Sequence, residues 1–385
     1  MSFLTESYLD KYTRYLNLLN EPTAKLISVL SKVNPRNISE VARATGLSPS
    51  LTHYHLKRLI NNRLLRISAK INYHKIGLRS AEVLIDISPN KRRYVKDILT
   101  AHDYGYYIAS CYGRFNGYYT RFVIPHGKEI EFQLFLDELV RSNLIKNYDI
   151  LWIDAMIYNS KWFNWFDYRN KRWLFRWDDW IKEICTNSQK VDLDKDTLPS
   201  PISPDYVDIF ILKELYKDAC ISFKEIAKRI GLTAPAIRYH YYNHVVRFKF
   251  ISGYRPVVLP YPMVISDLHI FRITFENYES LKRFIGSLNG KPFPVGTAII
   301  MGKNEISSTI YLPKTELSNF INALISLSDV GIISDFSYVT LNLKDYTHET
   351  IPYQCFKDGK WIYDHELYMS EIKKMVEKVE RIYSL

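Results

Sequence analysis

The sequence predicts an α+β chain built from two copies of one unit, and three observations carry that expectation. Residues 38–59 and 223–240 align without a gap at a shift of 185 positions, with Val41 on Ile226, Ala42 on Ala227, Gly46 on Gly231, Leu47 on Leu232 and Tyr54-His55 on Tyr239-His240. Each stretch is followed by alternating and helical hydrophobic runs in the order β-α-β-β-α-β. A third segment, 173–184, aligns with 361–372 at a shift of 188. Ungapped self-similarity on this scale marks an internal duplication, so the two copies should be related by a pseudo-two-fold axis.

The elements follow in order. Residues 1–22 predict a helix, because Leu4, Tyr8, Tyr12, Leu16 and Leu19 keep helical spacing; a dimerisation element and a lid are both open readings. Residues 23–77 and 205–262 each predict a helix-turn-helix. Close packing of a short first helix asks for a small side chain, Ala42 or Ala227, and the turn asks for a residue tolerant of positive φ, Gly46 or Gly231. Ser48 and Thr233 then stand where the second helix needs an N-cap, and Pro49 suits its first turn. Thr52, Leu56 and Leu59 fall on its inner face, as do Ile237, Tyr241 and His244 in the second copy. The β-prone runs 64–71 and 250–256 would serve as wings with basic tips at Arg66 and Lys70, or at Arg255, which makes both units winged helix-turn-helix domains.

Residues 78–160 predict a strand at 81–88, a helix at 91–101, a strand pair at 106–112 and 118–124, a helix at 129–141 and a strand at 148–157. Residues 263–345 repeat this with pieces at 268–275, 278–288, 297–301, 306–312, 316–327 and 336–343. That order is the ferredoxin-like arrangement. Six of the seven tryptophans, Trp152, Trp162, Trp165, Trp173, Trp177 and Trp180, crowd the end of the first half, where 161–185 predicts an aromatic helix. One reading has it seal an open sheet face or the contact between halves; another has it form a ligand pocket or a platform for bases beside Arg169, Arg172 and Arg176. Polar, proline-bearing 186–204 reads as the linker, and 346–385 ends in an amphipathic helix expected to pack on the second half.

The outward faces of the two second helices carry the candidate DNA contacts. In the first copy these are Ser48, Ser50, His53, Tyr54, Lys57 and Arg58, with Arg66 and Lys70 from the wing; in the second they are Thr233, Pro235, Arg238, Tyr239 and Tyr242, with Arg255. Protein contact is the competing use of such a motif. Net charge is +11 over 385 residues, which suggests an anionic partner. Between residues 23 and 75 a run of lysines and arginines faces the single acid Glu40, whereas the second motif is offset by Asp205, Asp208, Glu214, Asp218 and Glu225. The first unit should therefore grip phosphates more strongly.

Cys111, Cys185, Cys220 and Cys355 stand alone, without metal-ligand spacing, so buried reduced thiols and no bound metal are expected. No run of apolar residues approaches a membrane span and no signal-peptide pattern opens the chain, so the expectation is a cytoplasmic, nucleoid-associated protein with no membrane partner.

A winged helix-turn-helix followed by a ferredoxin-like domain resembles the Lrp/AsnC family of transcription regulators. The resemblance rests on Ile-Ala-Lys-Arg-Ile-Gly-Leu at 226–232, Gly46-Leu47-Ser48-Pro49-Ser50, Ile251-Ser252-Gly253-Tyr254 and the β-α-β-β-α-β order. It implies a covalent version of the family's dimer, and an amino-acid site near a Gly-x-x-Asp segment. The matching positions run from Gly113 to Asn116 and from Gly302 to Glu305, so Gly113, Asn116, Gly302 and Glu305 are the ligand-binding candidates, with the aspartate missing from both.

A fused pair of such units also resembles siroheme decarboxylases, which use a His-Asn-Tyr-Arg stretch. Here the region reads His102-Asp103-Tyr104-Gly105 in one half and Pro294-Val295-Gly296-Thr297 in the other, a poor match. With no catalytic triad, HExxH or phosphate-cradling loop, the expectation is not an enzyme and no cofactor. The sequence therefore predicts a sequence-specific transcription regulator binding double-stranded DNA, with a small-molecule effector and a homodimer left open; a chromatin-associated or protein-interaction scaffold is the alternative, and a siroheme-decarboxylase-like enzyme the one after it.

Overall fold

The computed structural model describes residues 10, 13, 16–62, 65–158, 162–186, 203–258 and 260–383. Leu4, Tyr8 and Tyr12 of the expected N-terminal helix, and the linker apart from Thr186, Ser203 and Pro204, lie outside the described residues. The first half runs α1 (Glu21–Val29), α2 (Ile38–Thr45), α3 (Pro49–Asn61), β1 (Arg66–Ile71), β2 (Leu78–Asp86), α4 (Arg92–Ala101), β3 (Gly105–Gly113), β4 (Gly117–Pro125), α5 (Glu129–Arg141), β5 (Asn147–Ile157), the short pair β6 (Phe166–Asp167) and β7 (Arg172–Trp173), and α6 (Trp177–Thr186). The second half repeats it as α7 (Tyr206–Lys217), α8 (Phe223–Ile230), α9 (Ala234–His240), β8 (Ile251–Val257), β9 (Ser266–Phe275), α10 (Tyr278–Ser287), β10 (Pro294–Ile300), β11 (Glu305–Pro313), α11 (Leu317–Asp329), β12 (Ile333–His348), the pair β13 (Phe356–Lys357) and β14 (Lys360–Trp361), and α12 (His365–Tyr383).

The two β-α-β-β-α-β units share one closed antiparallel barrel in the order β10-β11-β9-β12-β3-β4-β2-β5. Each half contributes four consecutive strands in the ferredoxin-like order. The seams are β12 against β3, where Leu341 faces Cys111, and β10 against β5, where Thr297 faces Ile157. Neither half-sheet keeps an open edge, the feature that otherwise invites further strand pairing. The seams are also tied by side chains that cross between halves: Ser307 donates to Glu82, and Arg272 pairs with Asp149 as well as with Glu305.

The terminal helices are exchanged between halves. α6 lies on α10 and α11 of the second half, while α12 lies on α4 and α5 of the first, contrary to the expectation that it packs on its own half. The seams explain the crossing. β12 ends at His348 opposite Tyr107 of β3, so the chain leaves the barrel beside the first half; β5 ends at Ile157 opposite Thr297 of β10 and leaves beside the second. Each short hairpin then places a tryptophan on the other copy, Trp173 Nε1 donating to Pro260 O at 3.2 Å and Trp361 Nε1 to Ile76 O at 2.6 Å.

On α6, Trp180 is fully buried among Phe284, Phe293 and Phe320, and its Nε1 donates to Ser287 Oγ at 2.9 Å. The stripe seals the outer face of the sheet, the plainer of the two sequence readings. On α12, Tyr368 stacks on His102 with 4.0 Å between ring centroids, and its hydroxyl donates to Asp103 at 3.0 Å.

Of the cysteines, Cys111 alone is buried, Cys185 is exposed and the other two are intermediate; all four are free thiols. Among the described residues, no helix is long and apolar enough to cross a membrane.

Candidate nucleic-acid interface

The two helix-turn-helix elements form for the local reasons their residues dictate. α2 stops at Gly46 with φ +72° and α8 at Gly231 with φ +76°, the left-handed conformation that disfavours any side chain with a Cβ. Ser48 Oγ accepts from Leu51 N–H at 3.2 Å to start α3, and Thr233 Oγ1 accepts from Ala236 N–H at 3.4 Å to start α9. Thr52, Leu56 and Leu59 turn inward on α3, Ile237 and Tyr241 on α9 and its continuation, while His244 is half-buried. The opposite faces are open to solvent: Ser50, His53, Tyr54, Lys57 and Arg58 on one, Pro235, Arg238, Tyr239 and Tyr242 on the other. Tyr54, Tyr239 and Tyr242 are 56%, 58% and 54% exposed. Aromatic rings left more than half in water beside cations suit a surface completed by a partner.

The two winged units are locked together. Each supplies a single strand after its third helix, and one strand alone cannot form a wing, so β1 and β8 pair antiparallel with each other, Ser68 opposite Arg255 and Lys70 opposite Gly253. Arg36, just ahead of α2, crosses to the second unit. Its guanidinium sits 4.3 Å from the Phe223 ring centre and 5.4 Å from that of Tyr241, and its Nε donates to Ala219 O at 3.1 Å. Burial pulls its pKa below the ordinary arginine value. Asn34 Nδ2 adds a bond to Tyr241 OH at 3.0 Å. Packed contacts therefore tie together the two units that carry the recognition helices.

This pairing corrects the expected wing tips. Arg66 stays exposed, its Nε donating to Lys217 O at 3.2 Å. Lys70 and Arg255 share one face of the ribbon and turn inward, 5.3 and 5.2 Å from the ring centre of Tyr158. Neither forms a protruding wing tip, because alternation along the shared ribbon points both toward the barrel. There they line a cavity of about 890 Å³ with Tyr73, Tyr106, Tyr158, Tyr216, Arg79, Arg121 and Lys249, against the single acid Asp154. Arg79 and Arg121 are already paired with Glu129 and Glu82. Burial, and after it the charge of Arg255, lowers the Lys70 pKa to about 8. A cavity with this lining favours an anion with an apolar body. The tyrosines come from four separate stretches of chain, which is why the sequence did not reveal it.

The ligand candidates taken from the family resemblance fall at the two β-hairpin ends, Gly113 closing β3 and Glu305 opening β11, with Asn116 and Gly302 in the connections. Gly113 has φ +124°, and a Cβ there would meet Tyr338 O at 3.1 Å. Asn116 is exposed, its backbone N–H donating to Asp86 Oδ1 at 3.2 Å, and Gly302 has φ +70° in open space. Glu305 is buried, and its carboxylate is held by Arg272, so its charge is already compensated inside the fold. His102, from the stretch compared with decarboxylases, is enclosed by Phe122, Phe132, Phe135 and Tyr368, and burial drives its pKa down to about 3.

Comparison with known proteins agrees with this geometry. A profile of winged helix-turn-helix DNA-binding domains matches residues 204–241, and the bacterial regulatory protein arsR family matches residues 24–66. An uncharacterized HTH-type transcriptional regulator of Pyrococcus furiosus is 31% identical over 84 residues, 21% of this chain; the match spans 57% of that relative's length. Among solved structures, the siroheme decarboxylase NirDL in co-complex with an iron-uroporphyrin III analogue superposes with TM-score 0.50 at 12% identity, covering 92% of this chain and 99% of that one. A transcriptional regulator of Neisseria meningitidis solved as its L-Met complex is 18% identical, with TM-score 0.30 over 38% of this chain and 97% of its own. The whole-length superposition concerns the fold, and the domain matches concern the helix-turn-helix units. The chain joins two helix-turn-helix units, each matched by a family model of DNA-binding or regulatory proteins, and two ferredoxin-like units in one polypeptide.

Proposed function

We propose that the chain is a sequence-specific transcription regulator that reads one DNA duplex with both of its winged units at once. The observation that carries this is the pair of capped recognition helices, fixed to each other through Arg36 and the β1–β8 ribbon, with unlike solvent-facing residues. Fixed recognition helices suit successive major grooves, and unlike faces suit unlike half-sites. Ser48, Ser50, His53, Tyr54, Lys57 and Arg58 serve one half-site, and Thr233, Pro235, Arg238, Tyr239 and Tyr242 the other. The basic cavity between ribbon and barrel supports an anionic effector that acts on the winged pair from behind. Fluorescence anisotropy with genomic promoter fragments tests the reading: tight binding to a small set of fragments supports it, and equal binding to all of them favours an architectural scaffold.

The same cavity supports a second reading, a siroheme-decarboxylase-like enzyme, because a tetrapyrrole is an apolar ring carrying carboxylates. Tyrosines and uncommitted cations suit such a molecule, while the enclosure of His102 counts against catalysis from that stretch. A stoichiometric Soret shift when a tetrapyrrole is added to the purified protein would favour it.

A further inference from the structure

We propose that the second winged unit binds one divalent transition-metal ion of the zinc class through Asp205, Asp208, His240 and His244. One ligand atom from each lies within 4.8 Å of all the others. His240 Nδ1 is 3.0 Å from Asp208 Oδ1 and 3.4 Å from Asp205 Oδ2, and His244 Nδ1 is 3.0 Å from Asp208 Oδ2. Metal–ligand bonds of about 2.0–2.1 Å put tetrahedral ligands about 3.3 Å apart, a spacing that the three histidine–aspartate separations match and that the remaining pairs, within 4.8 Å, reach by closing around the ion. Two imidazole nitrogens and two carboxylate oxygens favour a borderline ion over magnesium or calcium, and the aspartates balance its charge.

The first copy argues that the fold does not need this tetrad. At the shift of 185 its equivalents are Asn20, Thr23, His55 and Leu59. Asn20 still caps α1 by accepting from Thr23 N–H at 3.0 Å, and Leu59 is buried in the core. Only the second copy places a histidine where packing alone is served by leucine. Asp205 and Asp208 form the capping box at the start of α7, Asp208 is buried, and His244 lies in a π-helical turn, Tyr241–Val246, that extends α9. Such turns are frequent at functional sites. An ion here would pin the end of the recognition helix to α7, the helix it packs against.

The test uses the full chain, freed of metal by chelator and dialysis, with cobalt(II) as the optical probe and no DNA present. The expected result is one cobalt per chain with the visible bands of four-coordinate cobalt, displaced by zinc. His244→Leu and Asp205→Asn restore the residues of the first copy and so should fold; each should weaken cobalt binding at least tenfold. Wild-type protein without the bands, or bands of equal affinity in His244→Leu, would overturn the site. Because DNA is absent, failure here leaves the regulator reading standing, and failure of DNA binding leaves the site standing.

Discussion

Lys57 and Arg58 lie exposed on the outward side of α3, in the stretch 23–75 that holds one acid, Glu40. Replacing both with glutamine removes two cations without touching Leu56 or Leu59, which hold the helix down. If each meets one phosphate, each contributes a counter-ion release of about 0.9 to the slope of log affinity against log salt, so the double variant loses about 1.8. Between about 50 and about 200 mM salt that difference compounds to roughly 12-fold, with wild type losing more affinity than the variant. The assay is a salt series of fluorescence anisotropy titrations on one promoter fragment. The variant should also bind more weakly to every sequence at low salt by a similar factor, because phosphate contacts carry no sequence information. Parallel salt slopes for wild type and variant would refute the assignment of this face to phosphates, and affinity independent of salt would refute the DNA reading itself.

Other perturbations give separate checks. Trp180→Ala should cost about 3–5 kcal/mol in urea denaturation, since it empties a fully buried site and removes the indole N–H that donates to Ser287; a loss below about 1 kcal/mol would mean that α6 is not docked on the second half. Burial holds His102 at about 3 and His269 and His348 at about 4, below the unfolded value. The unfolded chain therefore takes up these protons first, so stability is full above about pH 6.5 and falls as pH drops toward 4, by about 1.4 kcal/mol per pH unit for each histidine. His348→Asn should reduce that slope by one proton in acid denaturation curves, and an unchanged slope would contradict its burial as neutral imidazole. Lys70→Met should raise the midpoint of thermal unfolding, by about 1–4 kcal/mol of stability, through removal of an inward cation beside Arg255. It should leave the DNA salt slope unaltered; a fall of about 0.9 would return Lys70 to the phosphate surface.

The sequence made local features legible and left the relations between copies obscure. Ser48, Gly46, Thr233 and Gly231 announce themselves because a cap or a left-handed turn is decided within four residues, and the inward rows of α3 and α9 follow from helical period alone. The β-α-β-β-α-β order was readable for the same reason. Whether β1 and β8 make two wings or one ribbon depends on a pairing across some 185 residues, and the inward turn of Lys70 and Arg255 follows from that pairing. The destination of α12 depends in the same way on which strand neighbours β12. The aromatic stripe of α6 was visible, but its target on α10 and α11 was not. The tetrad of Asp205, Asp208, His240 and His244 is hidden in the sequence because its two pairs, each at helical spacing, belong to different helices more than thirty residues apart. The available signal is that Asp205, Asp208 and His244 have no ligating counterpart in the first copy, where only His55 matches His240.

Two unlike recognition helices carried by one chain are proposed to read a single asymmetric site. Selection of bound duplexes from a random pool tests it most directly. The expected result is enrichment of two different half-sites at one fixed spacing, about one helical turn or a multiple of it from centre to centre, with Tyr54→Ala relaxing preference in one half and Arg238→Ala in the other. A single enriched half-site, two identical ones at variable spacing, or no enrichment at all would contradict it.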